Sequence, residues 1–167
     1  MTGPLLEFRD VNLSFKGVKA LSGISFAVNE GELFAVIGPN GAGKTSTFNC
    51  LNGVYRPQEG DILWKGESVL GLRPDKIAEL GVARTFQNIE LFAHMTVIEN
   101  ITLGRHIRTD VGWLSGAIWF GRAKKEEIAN RAMVEDIIDL LEIEAWRFYP
   151  VGMLPYGIQK RVELGRA

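Results

Sequence analysis

Gly38-Pro39-Asn40-Gly41-Ala42-Gly43-Lys44-Thr45 is a complete G-x-x-x-x-G-K-[ST] stretch, and its reading decides the fold. Each position has its own physical task. The glycines let the backbone curl so that successive N–H groups point inward at phosphate oxygens. Lys44 reaches the outer phosphates of a polyphosphate as a mobile point charge. The Thr45 hydroxyl suits Mg²⁺, and Ser46 can add a contact toward the α-phosphate. A helix that begins after Gly43 turns its positive dipole end toward the anion.

The motif needs a strand before it and a helix after it. Leu33-Phe34-Ala35-Val36-Ile37 is a short continuous apolar run of the kind a buried parallel strand shows. Thr47 to Asn52 continues as a helix, with Phe48 and Leu51 able to face a sheet and Gly53 as its stop. Cys50 falls in that helix and reads as a small buried residue rather than a reactive thiol.

The chain has 167 residues and a net charge of −1, enough for one sizeable core. That near-neutral balance gives no electrostatic reason to expect a nucleic-acid partner. One cysteine excludes an internal disulfide and fits a reducing compartment. The first residues do not form a signal peptide, and the apolar stretch Val111 to Phe120 is too short to cross a bilayer. The expected location is the cytoplasm, at a membrane surface through a partner.

Around the loop, Leu5–Phe15, Ser22–Val28, Asp61–Gly66 and Val82–Phe86 read as strands. Pro74–Leu80 reads as a short helix with Pro at its first turn and Gly81 as its stop. From about Asn88 the pattern turns helical, and Ile128, Ala132, Val134, Ile137, Ile138 and Leu141 make an amphipathic stripe. The expected organisation is a strand-rich core carrying the loop at 1–87, a helical part at 88–153, and a distinct closing segment at 154–167.

Several further stretches stand in the order of one family. Leu13-Ser14-Phe15 with Val18-Lys19-Ala20-Leu21, the loop, Gly81 to Asn88, Leu91-Phe92 through Met95-Thr96-Val97, and Leu154 to Ala167 cover nearly all of the chain. On these the chain resembles the ATP-binding subunit of an ABC transporter, most of all the importers of branched-chain amino acids. The resemblance implies an α/β fold of the P-loop NTPase kind: a nucleotide-binding core, an N-terminal antiparallel β subdomain and an inserted helical subdomain. It implies ATP and Mg²⁺ as cofactors. The implied partners are a second nucleotide-binding subunit and transmembrane permease subunits at the cytoplasmic face of the membrane.

The resemblance also assigns roles residue by residue. Phe15 takes the place of the aromatic that stacks on adenine, a contact that suits any base; read alone, it is an inward strand residue. Gln87 takes the place of the glutamine whose carbonyl oxygen ligates Mg²⁺ or holds water near the γ-phosphate. Leu154-Pro155-Tyr156-Gly157-Ile158 occupies the signature segment, usually Leu-Ser-Gly-Gly-Gln, which caps the γ-phosphate held by the opposite subunit. Here Pro155 lacks both the serine hydroxyl and an N–H. Tyr156 and Gly157 are the nucleotide-facing candidates of that segment. Trp113, Leu114, Ala117 and Ile118 share one helical face flanked by basic residues, which suits packing within the chain or docking near a membrane subunit. His94 and His106 have no partners for metal or acid–base work and read as surface or structural.

No apolar run in these residues ends in the Asp-Glu pair with which the family binds Mg²⁺ and activates water, so no catalytic residue is assigned. The expectation is a piece of a longer protein that binds ATP and does not hydrolyse it alone, its loop strand left with an uncovered apolar edge prone to self-association. The competing expectation is a non-catalytic regulatory module. A GTPase is disfavoured by the lack of an Asn-Lys-x-Asp segment, and a kinase by the spacing of Gln87 and the signature.

Overall fold

The computed structural model describes residues 3–85, 89–105 and 122–167, with no side chains described for 122–127. Gln87, His106 and the face formed by Trp113, Leu114, Ala117 and Ile118 lie outside the described residues. The chain divides into two compact units, Met1–Val82 and Ala83–Ala167.

The first unit is built on strands β1 (Leu6–Phe15), β2 (Val18–Val28), β3 (Glu59–Trp64) and β4 (Glu67–Ser68). They form one antiparallel sheet in the order β2-β1-β3-β4. Helices α1 (Lys44–Leu51) and α2 (Pro74–Glu79) belong to the same unit. Phe8, Val11 and Leu13 of β1 point into the core with Leu21, Ile62, Ile77 and Cys50. The inward positions are spaced two apart except between Phe8 and Val11, and a bulge explains the extra residue. Asp10 takes a left-handed φ of 48°, and the register slips there against both neighbouring strands. Gly60 of β3 sits against the Arg9 and Asp10 carbonyls, where a Cβ would not fit.

Two strands expected from the sequence are not formed. Among the described residues, neither Leu33–Ile37 nor the described part of Val82–Phe86 is a strand. Apolar composition is not sufficient for a strand, because its amides and carbonyls need a ladder partner, and no described strand pairs with either stretch. Leu33 and Ile37 are accordingly 98% and 90% exposed. Phe34 is anchored instead by stacking on Phe26, ring centroids 5.0 Å apart. Helix α1 buries Thr47 and Cys50, while Phe48 points outward. Gly53, at a φ of 71°, follows it as expected.

The second unit holds α3 (Val97–Gly104), α4 (Arg122–Leu140), two short 3-10 turns at Glu144–Trp146 and Val151–Met153, and α5 (Tyr156–Arg166). Helix α3 packs against both α4 and α5. Their shared core is Val97, Ile101, Val134, Ile138, Ile143, Val151 and Val162. Of the predicted stripe on α4, Val134 and Ile138 are buried and Ile137 and Leu141 pack at the margin. Ile128 and Ala132 are exposed.

Thr96 starts α3 with a reciprocal cap: its hydroxyl accepts from the Glu99 amide, and the Glu99 carboxylate accepts from the Thr96 amide. Asn100 is fully buried and pins the preceding loop. Its Oδ1 accepts from the Phe92 amide, and its Nδ2 donates to the carbonyls of Phe92, Met95 and Thr96.

Candidate functional site

The loop at 38–46 is exposed to solvent along most of its length. One internal backbone bond, from the Ala42 amide to the Pro39 carbonyl at 3.2 Å, tightens its tip. Gly43 then takes a left-handed φ of 85° and acts as the N-cap of α1, with no side chain to satisfy the helix. Its backbone lies flush against β2: a Cβ would sit 2.6 Å from the Ala20 carbonyl oxygen and 2.8 Å from Leu21 Cδ2. Only glycine meets both demands.

The consequence for chemistry is a set of open donors. Thr47 is the first residue of α1 whose amide bonds back into the turn, to the Gly43 carbonyl at 2.9 Å. The amides of Lys44, Thr45 and Ser46 have no acceptor among the described residues. They lie at the positive end of the helix dipole. Lys44 folds back over the loop, donating to the Gly38 carbonyl at 2.6 Å and the Pro39 carbonyl at 2.7 Å. An ammonium has three donors, so one stays available, and the same reach brings the charge over the loop. The hydroxyls of Thr45 and Ser46 make no hydrogen bond among the described residues. Uncapped amides, a fixed cation, two open hydroxyls and no carboxylate within the loop suit a polyphosphate and a cation that accompanies it. The described residues contain no cluster of three or more His, Cys, Asp or Glu that could hold a metal ion.

Phe15 closes β1 and is 43% exposed, so it is not the inward strand residue that its pattern alone suggests. The Tyr55 ring meets it edge-on, centroids 5.0 Å apart. Tyr55 lies beyond the helix in sequence and carries no motif, so nothing local marks it as a neighbour of Phe15.

The signature candidates belong to the second unit. Pro155 caps α5, and its carbonyl accepts from the amides of Ile158 and Gln159. The amides of Tyr156 and Gly157 have no acceptor among the described residues. The Tyr156 ring is exposed, with Lys160 Nζ 5.8 Å from its centroid. Gln159 turns away and donates to the Leu154 carbonyl at 2.8 Å. His94 is exposed on the surface.

Comparison with known proteins places these features. The chain is 38% identical to the high-affinity branched-chain amino acid transport ATP-binding protein BraF of Pseudomonas aeruginosa. It is 40% identical to LivG, the ATP-binding protein of the same description in Escherichia coli. Each alignment covers 99% of this chain and 65% of the relative, so the chain spans less than two thirds of the length of these proteins. Among solved structures it is similar to an ATP-binding cassette of an ABC transporter in its ADP conformation, with a TM-score of 0.77 at 29% identity over 99% of this chain and 64% of that one. A nucleotide-free cassette from an ABC transporter superposes with a TM-score of 0.76 at 31% identity, covering 98% of this chain and 64% of that one. The loop, the helix behind it and the antiparallel sheet are thus those of an ATP-binding cassette of the P-loop NTPase fold. The sequence model of the family described as ABC transporter matches residues 21–167, and the chain belongs to that family.

Proposed function

We propose that this chain is the nucleotide-binding portion of the ATP-binding subunit of an importer of branched-chain amino acids. The observation that carries the reading is the open end of α1: uncapped amides at Lys44, Thr45 and Ser46 under an ammonium already folded over the loop. In this reading residues 38–46 hold the phosphates of ATP, Thr45 and Gln87 hold Mg²⁺, and Phe15 receives the adenine. The bound Mg²⁺ supplies positive charge for the phosphate oxygens. Tyr156 and Gly157 present their free amides to nucleotide held by a second nucleotide-binding subunit. Permease subunits hold the chain at the cytoplasmic face of the membrane; no helix among the described residues is long and apolar enough to cross it. The 167 residues bind ATP without turning it over by themselves, since no apolar run among them ends in the Asp-Glu pair with which the family activates water.

The amino-acid substrate comes from the likeness to BraF and LivG. The test is transport by a hybrid in which residues 1–167 replace the matching stretch of the Escherichia coli LivG protein. Uptake of labelled leucine that disappears with Lys44→Ala is the expected result. A stable, membrane-assembled hybrid that supports no leucine uptake contradicts the assignment.

A further inference from the structure

Phe15 stands at the tip of the β1–β2 hairpin, paired across it with Val18, where the turn runs through Lys16 and Gly17 at φ of 46° and 87°. Such a tip is free to fray on its other side. The pairing of β1 with β3 ends at Asn12 opposite Glu59, so the Ser14 amide and carbonyl extend past the last ladder partner. Gln58 supplies what is missing. Its backbone amide donates to the Asn12 carbonyl at 3.0 Å. Its side chain then acts as a further strand residue: Oε1 accepts from the Ser14 amide at 2.8 Å, and Nε2 donates to the Ser14 carbonyl at 3.2 Å.

The same short segment reaches the phosphate helix. The amides of Val54 and Tyr55 both donate to the carbonyl of Asn49 in α1, at 2.9 Å and 3.1 Å. From that anchor the Tyr55 ring lies against Phe15 at an interplanar angle of 73°, the edge-to-face geometry that aromatic quadrupoles favour. One end of residues 54–58 is therefore bonded to the helix that carries the loop, and the other to the strand that carries Phe15.

We propose that Tyr55 and Gln58 are positioning residues for the base of the nucleotide, bracing the Phe15 ring at a fixed place relative to the phosphate loop. The inference rests on the reading of Phe15 as the ring that stacks on the base. A ring held before the ligand arrives loses less rotamer freedom on binding, so bracing strengthens the base contact and leaves the phosphate contact alone.

The test measures affinity for ATP and for inorganic tripolyphosphate, which has phosphates and no base, on the 167-residue chain and its variants. Gln58→Ala and Tyr55→Leu are expected to weaken ATP by roughly three- to tenfold, with tripolyphosphate within about twofold of the unsubstituted chain. Tyr55→Phe keeps the ring and should restore ATP binding. In the ligand-free chain, Gln58→Ala should speed hydrogen exchange at the Ser14 amide about tenfold or more. Equal loss of both ligands, or unchanged ATP affinity in both variants, overturns the proposal. Phe15→Ala separates the two readings. If it weakens ATP while Tyr55→Leu and Gln58→Ala do not, the brace alone is wrong. If it leaves the preference for ATP over tripolyphosphate intact, or if the unsubstituted chain has no such preference, the stacking reading falls and the brace with it.

Discussion

The backbone of Gly43 and the carbonyl of Ala20 lie so close that a Cβ on the glycine would stand 2.6 Å from the carbonyl oxygen. This contact sets the end of the phosphate loop against β2 and so aims the first turn of α1. Gly43→Ala meets two penalties, the contact itself and a left-handed φ of 85°. It should destabilise the chain by about 2 kcal/mol or more in urea unfolding. An unchanged midpoint would mean that the loop does not need this approach.

The Thr96–Glu99 cap gives the second unit a pH dependence. Hydrogen bonds from the Thr96 amide and hydroxyl hold the Glu99 carboxyl below the usual glutamate range. A depressed folded pKa contributes stability above the unfolded value of about 4.3, and that contribution is lost as pH falls through the folded value. Glu99→Gln should therefore be less stable than the unsubstituted chain at pH 7, with the gap closing below about pH 4. Thr96→Ala should cost about 1 kcal/mol at pH 7. A gap that persists unchanged at pH 3 would contradict the carboxylate's role.

Asn100 is the buried polar residue on which the loop before α3 depends. Asn100→Leu removes the acceptor for the Phe92 amide and buries it unpaired, at a cost of about 1–3 kcal/mol. Asn100→Asp keeps that acceptor and loses the three donor contacts. Both should speed hydrogen exchange at the Phe92 amide, with Asn100→Leu the more severe. Equal protection in all three chains would show that the side chain is not what holds the loop.

What the sequence disclosed was local. The loop at 38–45, the helix behind it and its stop at Gly53 are set by residues a few positions apart, and the structure has them. Leu33–Ile37 looked like a strand because apolarity is local, yet a strand also needs a partner, which no local pattern reports. Phe48 failed because α1 turns Thr47 and Cys50 to the core instead, and Ile128 because a helical stripe tells which residues share a face, not which of them the core covers. Asp10 shows the reverse, an irregular spacing in β1 that the bulge explains. The Ser14–Gln58 pairing joins residues 44 positions apart through a side chain, and no periodicity could announce it. The reciprocal cap also has a local pattern, Thr96-x-x-Glu99, which was passed over in the sequence and supplied by the structure.

Cys50 tests the packing of α1. It is 2% exposed, and burial pushes its thiol up to about 11. Only about one thiol in a thousand is then ionised at pH 8. A disulfide reagent should leave Cys50 unmodified in the folded chain and react at once in urea. Rapid modification without denaturant would show that α1 does not stay seated on the sheet.

The central claim is that residues 38–46 form a working phosphate site in this chain. Calorimetric titration of ATP with Mg²⁺ into the 167-residue chain, alongside Lys44→Ala, tests it directly. The account predicts saturable binding by the unsubstituted chain and none by Lys44→Ala at the same concentrations, with equal unfolding midpoints. A folded, monodisperse chain that takes up no ATP, or a Lys44→Ala variant that binds as tightly as its parent, would contradict it.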